Sequence, residues 1–211
     1  MKAKTHLPQT KSRGGFTLVE MLVVIGMIAA LAGLSFPVYR GIQKKVEKQQ
    51  VQMMFTSMER AVDNFETEYN YLPYYEAQYP EGDTAYYWLN SGISKFFGIL
   101  MGLESTKNFK RIKFLDLPEA EGTGPGGTTG KGPYGYFDGV VIAGENATLY
   151  SPSGMSYAAR IDFDLNGEIA NPHIGWPTTT PMVTGYRVVF YTVVGTTWGK
   201  DYFFTNENIT P

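Results

Sequence analysis

Arg13-Gly14-Gly15-Phe16-Thr17-Leu18-Val19-Glu20 opens an apolar run that continues to Phe36, and Glu20 is the only charge in that run. A helix over residues 16–36 would be roughly 30 Å long, the thickness of a bilayer's hydrocarbon core. Lys2, Lys4, Lys11 and Arg13 precede it, so a short basic leader ends in glycine where the apolar run begins. Pro37 follows the run and cannot donate to the carbonyl of Gly33, so the helix is expected to bend or loosen there. Gly26 with Ala30, and Ala29 with Gly33, are small residues four apart, a spacing that lets helices approach closely in lipid. Arg40, Lys44, Lys45 and Lys48 balance the cations of the leader, so charge alone sets no orientation.

Beyond Pro37 the apolar pattern changes from continuous to periodic. Val51, Phe55, Met58, Val62, Phe65 and Tyr69 form one helical stripe, with Gln49, Gln52, Glu59, Arg60 and Asp63 on the other faces. Glu66 and Glu68 read as part of a solvated face. Tyr71-Leu72-Pro73 stops the helix. Residues 74–87 read as loop, 86–101 as containing a short helix, and 109–117 as a strand built on Ile112, Phe114 and Leu115. Residues 118–135 are glycine-rich loop. Residues 139–143, 157–163, 186–194 and 201–204 are strand candidates rich in Val, Ile, Tyr and Phe, joined by short turns that favour an antiparallel sheet. The expected class is α+β: a long N-terminal helix, half membrane-spanning and half amphipathic, packed on a small antiparallel sheet.

Composition narrows the chemistry. Hydrophobic residues make up 43% and aromatics 15%, which suits a folded body and not a disordered one. A net charge of −2, with four of the cations in the leader, argues against a dedicated nucleic-acid binder. There is no cysteine, which excludes thiol catalysis and zinc ribbons, and His6 and His173 are the only histidines. Thr129-Gly130-Lys131 resembles a phosphate loop, but Pro125 and Gly132 stand where that motif needs glycine and a hydroxyl residue. No enzyme motif emerges.

The segment from Gly15 to Glu20 resembles the processing site of the type IV pilin and type II secretion pseudopilin family: Gly, Phe, then Thr-Leu-[Val/Ile]-Glu. The resemblance implies that prepilin peptidase cuts after Gly15 and N-methylates Phe16. Glu20 would then neutralise the new α-amine, on its own chain or on a neighbour. It also implies a division into a leader (1–15), a transmembrane helix (16–38) containing Pro37, its amphipathic continuation (39–72), and a β-rich domain outside the inner membrane (73–211). The expected partners are other pseudopilin subunits, the membrane, an inner-membrane platform protein and an assembly ATPase, with no nucleic acid. Ser151-Pro152-Ser153-Gly154-Met155-Ser156-Tyr157 is similar to the Asp-Pro-Trp-Gly-x-x-Tyr turn of pseudopilins, with serines in place of Asp and Trp. A minor type IV pilin for adhesion or DNA uptake is the alternative within the family. From another class comes a secreted soluble binding module, if Ala30-Leu31-Ala32 is instead a signal-peptidase site.

Calcium is the one cofactor the chain suggests. Asp162, Asp164 and Asn166, followed by Gly167, alternate oxygen donors before a glycine turn, but His173 replaces the Glu that an EF-hand requires. A hairpin whose Asn166-Gly167 pair supplies two positive φ angles is the preferred reading of that stretch. Pseudopilins hold calcium nearer the C-terminus, but here residues 195–201 contain only the carboxylate of Asp201.

Overall fold

A computed structural model of the chain describes residues 15–86, 91–124, 134–170, 182–193 and 202–204. Within these, the side chains at 34–41, 44, 91, 170, 182–184, 193 and 202–204 fall outside the described set. Two compact units are present, Met1–Lys44 and Lys45–Pro211.

Helix α1 runs over Leu18–Tyr69, and its helical backbone continues through Pro37. It ends where Asn70 turns left-handed at φ 62° and donates its N–H to the Glu66 carbonyl at 2.7 Å. Asparagine tolerates that conformation, and the bond satisfies one of the orphan carbonyls at the helix end. In the first unit, the apolar side chains from Phe16 to Leu31 are exposed. Among the described residues, no helix is long and apolar enough to cross a membrane.

In the second unit the predicted stripe is the core. Val51, Phe55, Met58, Val62, Phe65 and Tyr69 are buried in one cluster with Tyr157, Ala159, Ile161, Val188 and Phe190. The sheet beneath α1 contains β1 (Thr84–Tyr86), β6 (Ala158–Ile161), β9 (Val188–Val193) and β10 (Tyr202–Phe204), in the order β1-β6-β9-β10 and antiparallel throughout. The two-residue period sorts its side chains. Ala159 opposite Phe190 and Ile161 opposite Val188 face the helix, whereas Ala158, Val189 and Tyr191 join Ile169 in a second, smaller cluster. The α+β expectation holds.

Helix α2 (Ser91–Leu100) lies against a hairpin of β4 (Gly139–Ala143) and β5 (Asn146–Tyr150). Gly98 permits that approach: a Cβ there would stand 2.0 Å from the Glu145 carbonyl oxygen. Gly98→Ala should therefore push α2 off the hairpin and cost about 1–3 kcal/mol, read as a lower urea midpoint at unchanged slope. Unaltered stability would mean the two elements can slide apart freely.

Shorter pairings complete the unit: β2 (Glu121–Gly122) with β3 (Tyr136–Phe137), and β7 (Glu168–Ala170) with β8 (Met182–Thr184). Two expectations are corrected here. Residues 109–117 form no strand, because their backbone groups are used elsewhere: Phe114 and Leu115 both donate to the Leu100 carbonyl at the end of α2, at 2.9 and 3.1 Å. The Asn166-Gly167 stretch is not the turn of a hairpin, because β6 pairs with β1 and β9 while β7 pairs with β8. The left-handed residues are Leu165 and Gly167, so the angles of a type I′ turn at Asn166-Gly167 are absent. The phosphate-loop lookalike, His173 and residues 195–201 lie outside the described residues.

Candidate functional site

Gly15, Phe16 and Thr17 are exposed and lie outside regular secondary structure, and the helix begins at the next residue. Thr17 is the N-cap: its Oγ1 accepts the Glu20 N–H at 3.2 Å. The Glu20 carboxylate reaches back to accept the Thr17 N–H at 2.8 Å and the Thr17 hydroxyl at 2.9 Å. This reciprocal pair is a capping box, which satisfies otherwise orphaned donors at the helix start. Its placement leaves the Gly15–Phe16 peptide bond outside the helix, on a chain segment open to solvent. Phe16 itself is 80% exposed, and Leu18, Val19 and Leu22 continue the apolar surface. Sequence reading identified the carboxylate; the structure adds that a single chain already gives it a partner in Thr17.

The Ser151–Tyr157 stretch is a tight turn. The Gly154 N–H donates to the Ser151 carbonyl at 2.8 Å, and Gly154 sits at φ 82°. Ser151 Oγ accepts the Met155 N–H at 3.3 Å, taking the acceptor role that an Asp would have at this place. Tyr157 is buried edge-on against Phe55 of α1, ring centres 5.7 Å apart, and burial pushes its phenol well above the usual range.

The acidic loop after β6 is built around Asp162, which is buried although it is a carboxylate. Its oxygens accept the N–H groups of Asn166 at 3.2 Å and Gly167 at 2.9 Å. Asp83, distant in sequence, joins Asp162 and Asp164 with carboxylate oxygens all within 4.8 Å of one another. Asn166 engages the loop itself, accepting from the Glu168 N–H at 2.7 Å and donating to Asp164 at 3.2 Å. The structure thus gathers Asp162 with Asp164 and Asp83, while the Asn166 amide is taken up within the loop by Asp164 and the Glu168 N–H.

A second organised loop escaped sequence reading. Asn108 is fully buried; its Oδ1 accepts the Tyr69 hydroxyl at 2.6 Å and the Ile112 N–H at 3.0 Å. Its amide donates to the carbonyls of Ile99 at 2.8 Å and Ile112 at 2.7 Å. Around this anchor stand Lys107, Phe109, Lys110, Arg111 and Lys113. Glu104 helps hold the loop. Burial alone would raise its carboxyl, but donors from Thr106 and Lys107 outweigh that and keep it below the usual value.

Comparison with known proteins bears on the first of these sites. Residues 10–36 match the model of the prokaryotic N-terminal methylation motif. The chain is similar to the type II secretion system core protein G of Escherichia coli (strain K12), with 34% identity over 64 residues. That stretch covers 30% of this chain and 44% of the relative, so the chain spans less than half the length of the curated protein it matches. No solved structure matches. The motif falls on the capped helix start and its exposed Gly15–Phe16 bond, and together with the likeness to core protein G it supports a likeness of the chain's N-terminal part to type IV pilins and pseudopilins.

Proposed function

We propose that the protein is a pseudopilin-like filament subunit of a type II secretion system and acts by assembly, not by catalysis. The observation that carries this is the pairing of an exposed Gly15–Phe16 bond with a helix whose first turns, Glu20 apart, expose apolar side chains. A surface of that kind, from Phe16 to Leu31, is stable only in lipid or against other helices. The segment would hold the newly made subunit in the inner membrane, with the β-rich unit on the periplasmic side. Prepilin peptidase would remove the leader and methylate Phe16. A platform protein and an assembly ATPase would then drive the helix out of the bilayer into a bundle of its own kind. Similarity to a core secretion protein favours the secretion machine over a pilus.

On this reading Glu20 changes partner. Before assembly it caps its own helix through Thr17; in the filament it neutralises the α-amine of Phe16. Glu20→Gln separates the two roles, because glutamine still accepts the Thr17 N–H but carries no charge. Cleavage after Gly15 should proceed as before. Filament yield should fall about tenfold or more, the size expected when a charge-assisted bond of roughly 1.5–3 kcal/mol per subunit is lost. The check is quantification of sheared filaments beside immunoblots of the processed chain. Filaments at the original level would remove the carboxylate from the assembly mechanism.

A further inference from the structure

Resting on the filament reading, we infer that neighbouring subunits also dock through two loops of opposite charge, the basic loop 107–113 of one copy against the acidic loop 162–168 of the next. The basic loop carries Lys107, Lys110, Arg111 and Lys113 around Phe109, which is 63% exposed. Glu68 pairs with Lys110 and Asp116 with Lys113. Lys107 and Arg111 have no carboxylate partner among the described residues, and Lys107 lies 3.7 Å above the Tyr74 ring. Phe109 packs edge-on against Tyr69, ring centres 5.0 Å apart, with the Lys110 ammonium 5.9 Å from its ring centre, yet most of its side chain stays open to solvent, which a solvated face built of charges alone would not need.

The acidic loop mirrors this design. Asp164 and Glu168 flank Leu165 in sequence, Asp83 lies beside Asp164, and Leu165 is 55% exposed. Each loop is pinned from below by a buried polar residue, Asn108 in one and Asp162 in the other. Each also contains a large residue at positive φ, Arg111 at 51° and Leu165 at 57°. Such angles are unfavourable for residues with side chains and persist only where the surroundings enforce them. Both loops therefore present their tips in fixed conformations, which lowers the entropic cost of docking.

The loops do not neutralise each other within one chain. Tyr74 and Tyr79 run from beneath Lys107 to Phe163 of the acidic loop, with ring centres 5.0 and 5.3 Å apart in succession, and no ion pair links the two loops among the described residues. That leaves Lys107 and Arg111 for carboxylates of another molecule, and the acidic loop of a second copy offers them. Contact between different patches on identical subunits is heterologous; repeated without closure, it yields an open helical array, which is what a filament needs. Exposed ion pairs contribute little singly, so the charges would set register while Phe109 and Leu165 exclude water at the centre.

The absence of cysteine makes the contact directly testable. The full chain carrying Phe109→Cys and Leu165→Cys would be expressed with its native processing enzymes, and sheared filaments oxidised mildly and run without reductant. The expected result is a ladder of dimers, trimers and higher multimers. Adding Lys107→Glu and Arg111→Glu should weaken the ladder at least tenfold, and adding Asp164→Lys and Glu168→Lys to the same chain should restore it, which a folding defect would not do. Normal filament yield with monomers only would overturn the loop contact and leave the filament reading standing. A pattern stopping at dimers would overturn head-to-tail docking in favour of a two-fold pair. Failure of the unaltered chain to form filaments would remove the filament reading, and this inference with it.

Discussion

Asn108→Leu is expected to destabilise the second unit by about 4 kcal/mol, because it breaks a fully buried hydrogen-bond network and leaves several partners unpaired. Those partners are the Tyr69 hydroxyl on α1, the Ile99 carbonyl on α2, and both backbone groups of Ile112. Leucine shares the branched shape of asparagine, though it is bulkier, and satisfies none of them. The Tyr69 oxygen would still accept the Lys110 N–H at 3.2 Å, but its own proton would lose its acceptor. In a domain of this size, about 4 kcal/mol lowers Tm by roughly 8–16 °C. Thermal melts of the two proteins, with the denaturant slope as a check on cooperativity, would measure it. A shift of a degree or two would mean that water replaces Asn108 at little cost, and that the basic loop is not rigidly held.

Phe65→Ala should cost a similar amount, about 3–5 kcal/mol, by a different mechanism. Phe65 is fully buried, with Tyr69 at 4.6 Å, Phe114 at 5.4 Å and Tyr71 at 5.6 Å between ring centres. Alanine would leave a cavity lined by rings, and ring pairs add about 0.5–1.5 kcal/mol beyond their buried area. Phe65→Leu keeps most of the volume and should lose well under half as much. Urea unfolding of both variants gives the comparison; equal losses would show that ring geometry, and not filled volume, holds the site. Because Phe65 and Asn108 share Tyr69, the double variant should be less destabilised than the two single losses added together.

These two residues mark what sequence reading could reach. Phe65 belongs to a stripe with helical spacing, and that period alone assigns it to the core. The four main-sheet strands divide on the same ground: β6, β9 and β10 fall within apolar or aromatic runs, whereas Thr84–Tyr86 is three residues inside a turn-rich stretch and becomes β1 only by pairing with β6. Asn108 gave no signal, because an asparagine among lysines looks like a surface loop. Its burial depends on Tyr69, Ile99 and Ile112 meeting around it, which no local pattern encodes. The same limit explains the error over residues 109–117, whose apolar residues pack into the core without joining a ladder.

At the candidate site the outcome was mixed for similar reasons. Gly15, Phe16 and Glu20 lie within six residues, and the capping box Thr17-x-x-Glu20 is itself a local spacing, so the geometry of this stretch follows from near neighbours in the chain. In the acidic loop, Asp162 and Asp164 were legible as a pair, but Asp83 arrives through the fold. Asn166 was misjudged because an Asn-Gly dipeptide suggests a hairpin, whereas the buried Asp162 reorganises the loop around its own carboxylate.

The most direct test of the account is the mass of the N-terminal peptide from protein purified out of cells that carry the native processing enzymes. The account predicts a chain that begins at Phe16 and carries one methyl group on its α-amine. A chain that retains the leader, or one that begins at Gly33 after cleavage behind Ala32, would contradict it.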